Sequence, residues 1–325
     1  MIFDELTFDE QLANLNSENP RLVAIKLDSL LPAQLHDLLN ALKNNTTVKA
    51  LTLGSKSFDG YDIELLAEVL RNNKTITTLR LQSCDIDDKK LKALANGLEG
   101  NENIIILELP NNKISEASDA VLANIVRTCP QLDKLDISDN EIVFSGSSEL
   151  LNALKVSKRF KSIDLSDQTI DGEDGMNRII ELIESNQALE SLGLNNTVLM
   201  NFELTRELAD KFIEAVENNP ALKSVALDLS REDEYSASEE VFRLENRILE
   251  IMEQREQNPE PQVQEDSNAA TDTTVQQPLL LSGVRYQQQD GDGATERKRS
   301  SDDAGPSEGL SDGGSSRPNK RTKPN

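Results

Sequence analysis

Between Ile76 and about Ile170 the chain writes one pattern of apolar and variable positions four times. Each copy has an apolar residue, two variable residues, a second apolar residue, one variable residue, a third apolar residue and a turn. The copies are Ile76–Leu79–Leu81, Ile104–Leu107–Leu109, Leu132–Leu135–Ile137 and Phe160–Ile163–Leu165, with starts 28 residues apart. Ten residues after each start stands another isoleucine: Ile86, Ile114, Ile142 and Ile170. A fixed period of this length marks a repeat architecture. The pattern extends upstream to Leu22–Ile25–Leu27 and Val48–Leu51–Leu53, and downstream to Leu189–Leu192–Leu194 and Leu222–Val225–Leu227. That makes eight starts, at 22, 48, 76, 104, 132, 160, 189 and 222. The irregular steps fall towards the ends, as expected of units with one neighbour and one face to water.

The alternation in the first part of each repeat predicts a short strand. The second part changes to helical spacing. Ile63, Leu66, Ala67 and Leu70 stand at i, i+3, i+4 and i+7, as do Leu91, Leu94, Ala95 and Leu98, so each set forms one apolar helix face. Neither half buries its face alone. Stacking sets strand beside strand and helix beside helix. Helices are wider than the ~4.8 Å between strands, so the stack is expected to curve with its sheet inside.

The stretches ITTLRLQSCDI (76–86), IIILELPNNKI (104–114) and LDKLDISDNEI (132–142) resemble the leucine-rich-repeat family, and the resemblance covers roughly residues 20–230. The 28-residue period is similar to the ribonuclease-inhibitor-like subclass. The resemblance implies an α/β solenoid, a curved horseshoe with a parallel sheet on the concave face and helices on the convex face. It implies no particular function. The turn after each strand needs a buried polar residue where the backbone leaves the sheet. That position, eight after the start, reads Cys84, Asn112, Asn140, Gln168 and Thr197. Asn112 and Asn140 are what the family expects there and Cys84 is its usual substitute; Leu30 and Lys56 depart from the pattern.

The organisation expected is a helical cap over 1–21, a solenoid of about eight repeats over 22–236, a capping helix over 237–257 and a tail over 258–325. Phe3, Leu6, Phe8, Leu12 and Leu15 suit the first cap; Val241, Leu244, Ile248 and Ile251 suit the second. The step of 33 after Leu189 predicts a longer loop near 199–204, where Met200 and Phe202 either pack on the adjacent helix or protrude. The tail is rich in Gln, Ser, Asp, Gly and Pro, a composition that cannot offset ordering entropy. It carries a short apolar island (276–286) and two basic clusters, Arg297-Lys298-Arg299 and Lys320-Arg321-Thr322-Lys323. The second cluster resembles a short nuclear-import signal.

Charge narrows the choice of partner. The chain carries 58 acidic and 34 basic residues, and 47 of the acidic and 26 of the basic residues lie in 1–257. Such a surface repels nucleic acid and favours basic partners, or serves solubility alone. Two cysteines without metal-ligand spacing, Cys84 and Cys129, read as reduced structural thiols of a reducing compartment. The segment IFDELTFDEQ after Met1 lacks the basic start of a Sec signal, and no apolar run approaches the ~18 residues of a membrane span. A cytoplasmic or nuclear location follows, or delivery into a host cell if the source is bacterial. A monomer is expected.

Catalytic sets are missing from the sequence. His36 is the only histidine, so no nucleophile–histidine set forms. No phosphate loop is present, and the turn DGEDG (171–175) lacks the ligand series of a calcium loop. No metal or cofactor is expected. Ubiquitin-ligase effectors with these repeats carry a later catalytic cysteine, and none follows Cys129. The Ran GTPase-activating family is also similar, but in the comparable stretch, KSFDGYDIELL (56–66), Tyr61 stands where that resemblance would seek an arginine.

Binding is the stronger reading. Residues two, four and six after each start point out of the sheet, because they alternate with the buried leucines. The candidate contacts are Arg80, Gln82, Glu108, Asp136, Ser138, Asp164, Ser166 and Asn195. Glu108, Asp136 and Asp164 align in consecutive repeats, with Arg80 one repeat earlier, placed to pair with Glu108. The expectation is a non-enzymatic scaffold that holds a basic protein partner, free-standing and short-tailed like effectors that intracellular bacteria deliver into host cells.

Overall fold

The computed structural model describes residues 7–28, 30–55, 57–231 and 239–257. All lie in one compact unit, Met1–Val263. The tail with its apolar island and basic clusters lies outside the described residues, as do Phe3, Leu6 and Lys56.

The first strands of the repeats are β1 (Ala24–Asp28), β2 (Ala50–Gly54), β3 (Thr78–Gln82), β4 (Ile106–Glu108), β5 (Lys134–Asp136), β7 (Ser162–Asp164), β9 (Ser191–Met200) and β10 (Ser224–Arg231). Each begins two residues after one of the eight starts. All pair in parallel with their neighbours, and one column runs in register through them: Lys26 stands beside Thr52, then Arg80, Glu108, Asp136, Asp164, Gly193 and Ala226; further along, β10 shifts register against β9 between Leu227 and Leu229. Between the strands run α2 (Pro32–Leu42), α3 (Gly60–Asn72), α4 (Asp88–Leu98), α5 (Asp119–Thr128), α6 (Glu149–Val156), α7 (Gly172–Ser185) and α8 (Arg206–Glu217). This is a leucine-rich-repeat solenoid, with one sheet layer and one helix layer.

The repeating apolar positions form the core between the layers. Ile76, Leu79, Leu81 and Ile86 are buried, and so are their equivalents through Ile170. The helices start where polar side chains cover free backbone N–H groups. Asp59 accepts from Tyr61 N and Asp62 N at 2.8 Å, and Asp87 accepts from Lys90 N at 2.8 Å. Other carboxylates cap across repeats: Asp119 of α5 accepts from Ser148 Oγ and from the backbone of Glu149 and Leu150 at the start of α6.

A second row of strands was not expected. β6 (Val143–Phe144) pairs with β8 (Thr169–Asp171), which pairs with the far half of β9. Earlier repeats have only single bridges there, Asp87 with Lys113 and Ser115 with Glu141. The later repeats carry β-branched and aromatic residues at this place, and the earlier ones mostly polar residues. β9 therefore continues through Met200, where a loop was predicted. Phe202 packs against the core and Leu204 is buried, so the segment folds inward.

Both ends are covered. α1 (Phe8–Asn16) starts at a Thr7–Glu10 capping box and buries Leu15. α9 (Glu239–Gln257) buries Val241, Leu244, Ile248 and Ile251. Glu245 Oε1 of α9 accepts from Leu229 N at 2.7 Å, which closes one donor on the edge of β10.

Candidate binding face and its supporting turns

The exit turns come first, since they set where the face ends. The residue seven after the start is left-handed in six repeats: Ser55, Ser83, Asn111, Asp139, Asp167 and Asn196 have φ between 48° and 59°. Short polar side chains tolerate that conformation. The next residue turns inward. Asn112 Oδ1 accepts from Cys84 N and Ile86 N, each at 3.0 Å, and its Nδ2 donates to Leu81 O at 2.8 Å and Leu109 O at 2.9 Å. Asn140 donates to Leu109 O and Ile137 O and accepts from Ile114 N. Gln168 donates to Ile137 O and accepts from Ile142 N, each at 2.8 Å. Cys84 Sγ donates to Leu53 O at 3.3 Å. Thr197 is fully buried, with a longer contact to Asn195 O. Both cysteines are free and buried, and burial pushes the Cys129 thiol up to about 11.

A matching ladder lies at the approach turns, three residues before each start, and sequence reasoning passed over it. The position reads Asn19, Asn45, Asn73, Asn101, Cys129, Ser157, Asn186 and Asn219. Asn73 Nδ2 donates to Leu42 O and Asn45 O, each at 2.9 Å, and its Oδ1 accepts from Thr75 N and Ile76 N. Asn101, Asn186 and Asn219 repeat the scheme. The signal was available as asparagine at a 28-residue spacing.

Between these turns the strands hold their outward side chains in one plane. Arg80 Nε lies 2.5 Å from Glu108 Oε2, and Lys134 Nζ lies 2.8 Å from Glu108 Oε1. Glu108 is only 14% exposed and is neutralised from both sides. Sequence reasoning had placed Arg80 beside it but missed Lys134, a diagonal neighbour from the next repeat. Asp136 Oδ1 accepts from Ser138 N at 3.0 Å and Ser138 Oγ at 2.7 Å. Asp164 Oδ1 accepts from Ser166 N at 3.0 Å. Among the described residues neither Asp136 nor Asp164 has an ion-pair partner. Burial chiefly raises the pKa of Asp136, and the neighbouring Asp164 and Glu108 add to it.

The face is smaller than the candidate set suggested. Gln82 and Asn195 are exposed and Ser138 is half-buried, but Ser166 is 6% exposed and its hydroxyl accepts from Asn195 N at 3.1 Å. Ser166 supports the turn and is not presented. Gly193 follows Asp164 in the column. A Cβ there would stand 2.3 Å from Asp164 Oδ1, so the missing side chain is what lets Asp164 lie over β9.

Elsewhere, His36 stacks on Tyr61 at 4.8 Å between ring centres, and Tyr61 is 60% exposed. Among the described residues no group of His, Cys, Asp and Glu is placed to hold a metal ion, and no helix is long and apolar enough to cross a membrane.

Comparison with known proteins adds little to this geometry. No protein-family model matches the chain, and no curated protein matches it in sequence. Solved structures do resemble it. The leucine-rich repeat-containing protein LegL7 from Legionella pneumophila is 18% identical, with a TM-score of 0.41, over 74% of this chain and 77% of that one. Leiomodin-1 actin-binding site 2 is 16% identical, with a TM-score of 0.34, over 66% of this chain and 90% of that one. The tropomodulin C-terminal domain from Caenorhabditis elegans is 12% identical, with a TM-score of 0.25, over 78% of this chain and 95% of that one. At these identities and scores none of the three says what this chain binds.

Proposed function

We propose that the chain is a non-enzymatic scaffold that holds a basic protein partner against the open face of its sheet. The observation that supports this is the pair Asp136 and Asp164, in register on adjacent strands with no cation on either. Glu108 is already flanked by two cations, Arg80 and Lys134, so the Asp136–Asp164 pair is the place on the face where a lysine or arginine of a partner gains most. Rigid repeat surfaces suit recognition over a large area. Capture of partners by wild type and by D136N/D164N at two salt concentrations tests the reading. The double variant is expected to lose a partner that wild type retains at low salt and releases at high salt. Equal capture by both proteins at every salt concentration sinks it.

The basic clusters support a further proposal about location. Arg297, Lys298, Arg299, Lys320, Arg321 and Lys323 form a nuclear-import signal, as in an effector of the ribonuclease-inhibitor-like subclass acting inside a host cell. A reporter fused to residues 290–325 should collect in the nucleus of a eukaryotic cell. An even distribution retires the idea.

A further inference from the structure

Two approach turns lack asparagine: at Cys129 the thiol still donates to the previous repeat, at Leu98 O, but the joint at Ser157 is built differently again. Asn73 holds the carbonyls of Leu42 and Asn45, which lie 31 and 28 residues earlier. The same offsets from Ser157 point to Val126 and Cys129. Serine is too short to reach them, and Ser157 Oγ is buried without a hydrogen-bond partner. Arg159 comes in from solvent instead: its Nη2 donates to Val126 O at 3.3 Å and to Cys129 O at 2.9 Å. Two carbonyls whose counterparts at Asn73 are held by a buried amide are here held by an exposed guanidinium, whose bonds compete with water.

The opposite side of the same joint is also under load. Asp136 on β5 and Asp164 on β7 stand directly beside each other, and like charges in that position repel. α6, which ends at this turn, has 8 residues and is the shortest α-helix among the described residues. Its last residue, Val156, is 73% exposed. Each joint of a solenoid is held only by its two neighbouring repeats, so a weak joint is not rescued by distant contacts.

We propose that the joint between β5 and β7 is an opening point built into the stack, latched by Arg159 at the approach turn and loaded by Asp136 and Asp164 on the sheet face. Opening there parts the approach ends of β5 and β7, while the β6–β8 pairing and the Gln168 bond to Ile137 O still hold the exit side of the joint. A cation bridging the two carboxylates draws the joint shut, so opening and partner binding oppose each other; this last step rests on the partner reading above.

Hydrogen exchange measured by mass spectrometry on the full chain tests the latch without any partner. The backbone N–H groups of Lys161 and Ser162 both donate to Asp133 O across this joint. Their counterparts elsewhere are Thr77 and Thr78, donating to Lys49 O, and Glu190 and Ser191, donating to Lys161 O. Exchange in wild type should be faster at Lys161 and Ser162 than at either counterpart. R159A should speed it roughly tenfold at that joint alone, as loss of a hydrogen bond from a charged donor predicts. S157N/R159A, which supplies the amide and clears the guanidinium from its path, should return it to the wild-type rate or slower. D136N/D164N should slow it by removing the repulsion. Equal exchange at the three joints in wild type, no change in R159A, or a double variant S157N/R159A no slower than R159A overturns the proposal. The capture experiment reads partner binding separately, so either idea can fail while the other stands.

Discussion

The approach turns and the exit turns do the same work by different means. Both bring a polar side chain into the core to pair backbone groups that the sheet and helices leave open. At the approach turns asparagine recurs six times, at 19, 45, 73, 101, 186 and 219; within the stack the amide both donates to the preceding unit and accepts from its own. At the exit turns the residue varies from cysteine to asparagine, glutamine and threonine; Asn112 and Asn140 share their donor bonds, whereas Cys84, Gln168 and Thr197 each make fewer. The exit turn tolerates this because the left-handed residue before it already reverses the chain. Where the backbone makes the turn, the side chain varies freely; where the side chain holds the turn, asparagine dominates, and the departures are Cys129 and Ser157.

The largest effect should follow from breaking an approach turn. Asn73→Ala leaves the carbonyl of Leu42 and the N–H groups of Thr75 and Ile76 without their partner in a buried place. The cost should be about 3 kcal/mol, several times that of one exposed hydrogen bond. Urea unfolding of the variant checks it. Asn140→Ala is the matching change at an exit turn. Asn140 is less buried, and the turn keeps Asp139 at φ 51°. About 1–2 kcal/mol is expected. A larger loss for Asn140→Ala than for Asn73→Ala would reverse the comparison.

Much of the fold was legible because a solenoid repeats its instructions. The eight starts placed a strand in the first part of each repeat, and register followed from the period: Arg80, Glu108, Asp136 and Asp164 align as the spacing says. The exit ladder was legible because Asn112 and Asn140 stand in a familiar motif. The approach ladder was missed for a physical reason. Its asparagines follow helices, where an asparagine reads as an ordinary helix end, and only their common spacing marks them as one feature. The binding face was partly legible. Lys134 was missed because it reaches Glu108 diagonally, 26 residues along the chain and not 28. Ser166 was misplaced because alternation assigns a side to a residue but does not say how far the turn beside it folds over.

A smaller effect is expected at the cysteines, one from each ladder. Cys84 Sγ donates to Leu53 O at 3.3 Å and Cys129 Sγ to Leu98 O at 3.2 Å. A serine hydroxyl makes the same kind of bond from a shorter side chain. The double change Cys84→Ser with Cys129→Ser should leave the protein folded, with a loss of about 1–2 kcal/mol in all. Adding reductant to wild type should leave its melting temperature unchanged, since neither thiol is in a disulfide. A large fall on reduction would show that the pairing in solution differs.

The last and smallest effect separates the two ladders by pH. The approach turns are held by neutral amides, which do not titrate. The exit turn of the third repeat includes a carboxylate, Asp85, which receives hydrogen bonds from Lys113, Lys90 and Ser57. These partners, Lys113 first, hold its pKa well below the usual carboxylate range. A carboxylate whose folded pKa is depressed contributes stability that is fully present above its unfolded pKa, near ~4, and is lost as pH falls towards the folded value. Asp85 is about one-third exposed, so solvent screens the pairs and the effect at neutral pH should be under about 1 kcal/mol. Asp85→Asn should therefore lower stability slightly at pH 7 and narrow its gap to wild type as the pH falls from 4 to 2. Asn73→Ala should keep the same gap to wild type over that range, because nothing it removes carries a charge. Unfolding by urea at pH 7, 4 and 2 on the three proteins distinguishes them. A gap for Asp85→Asn that stays constant with pH would mean that the lysines around it hold the turn by packing and not by charge.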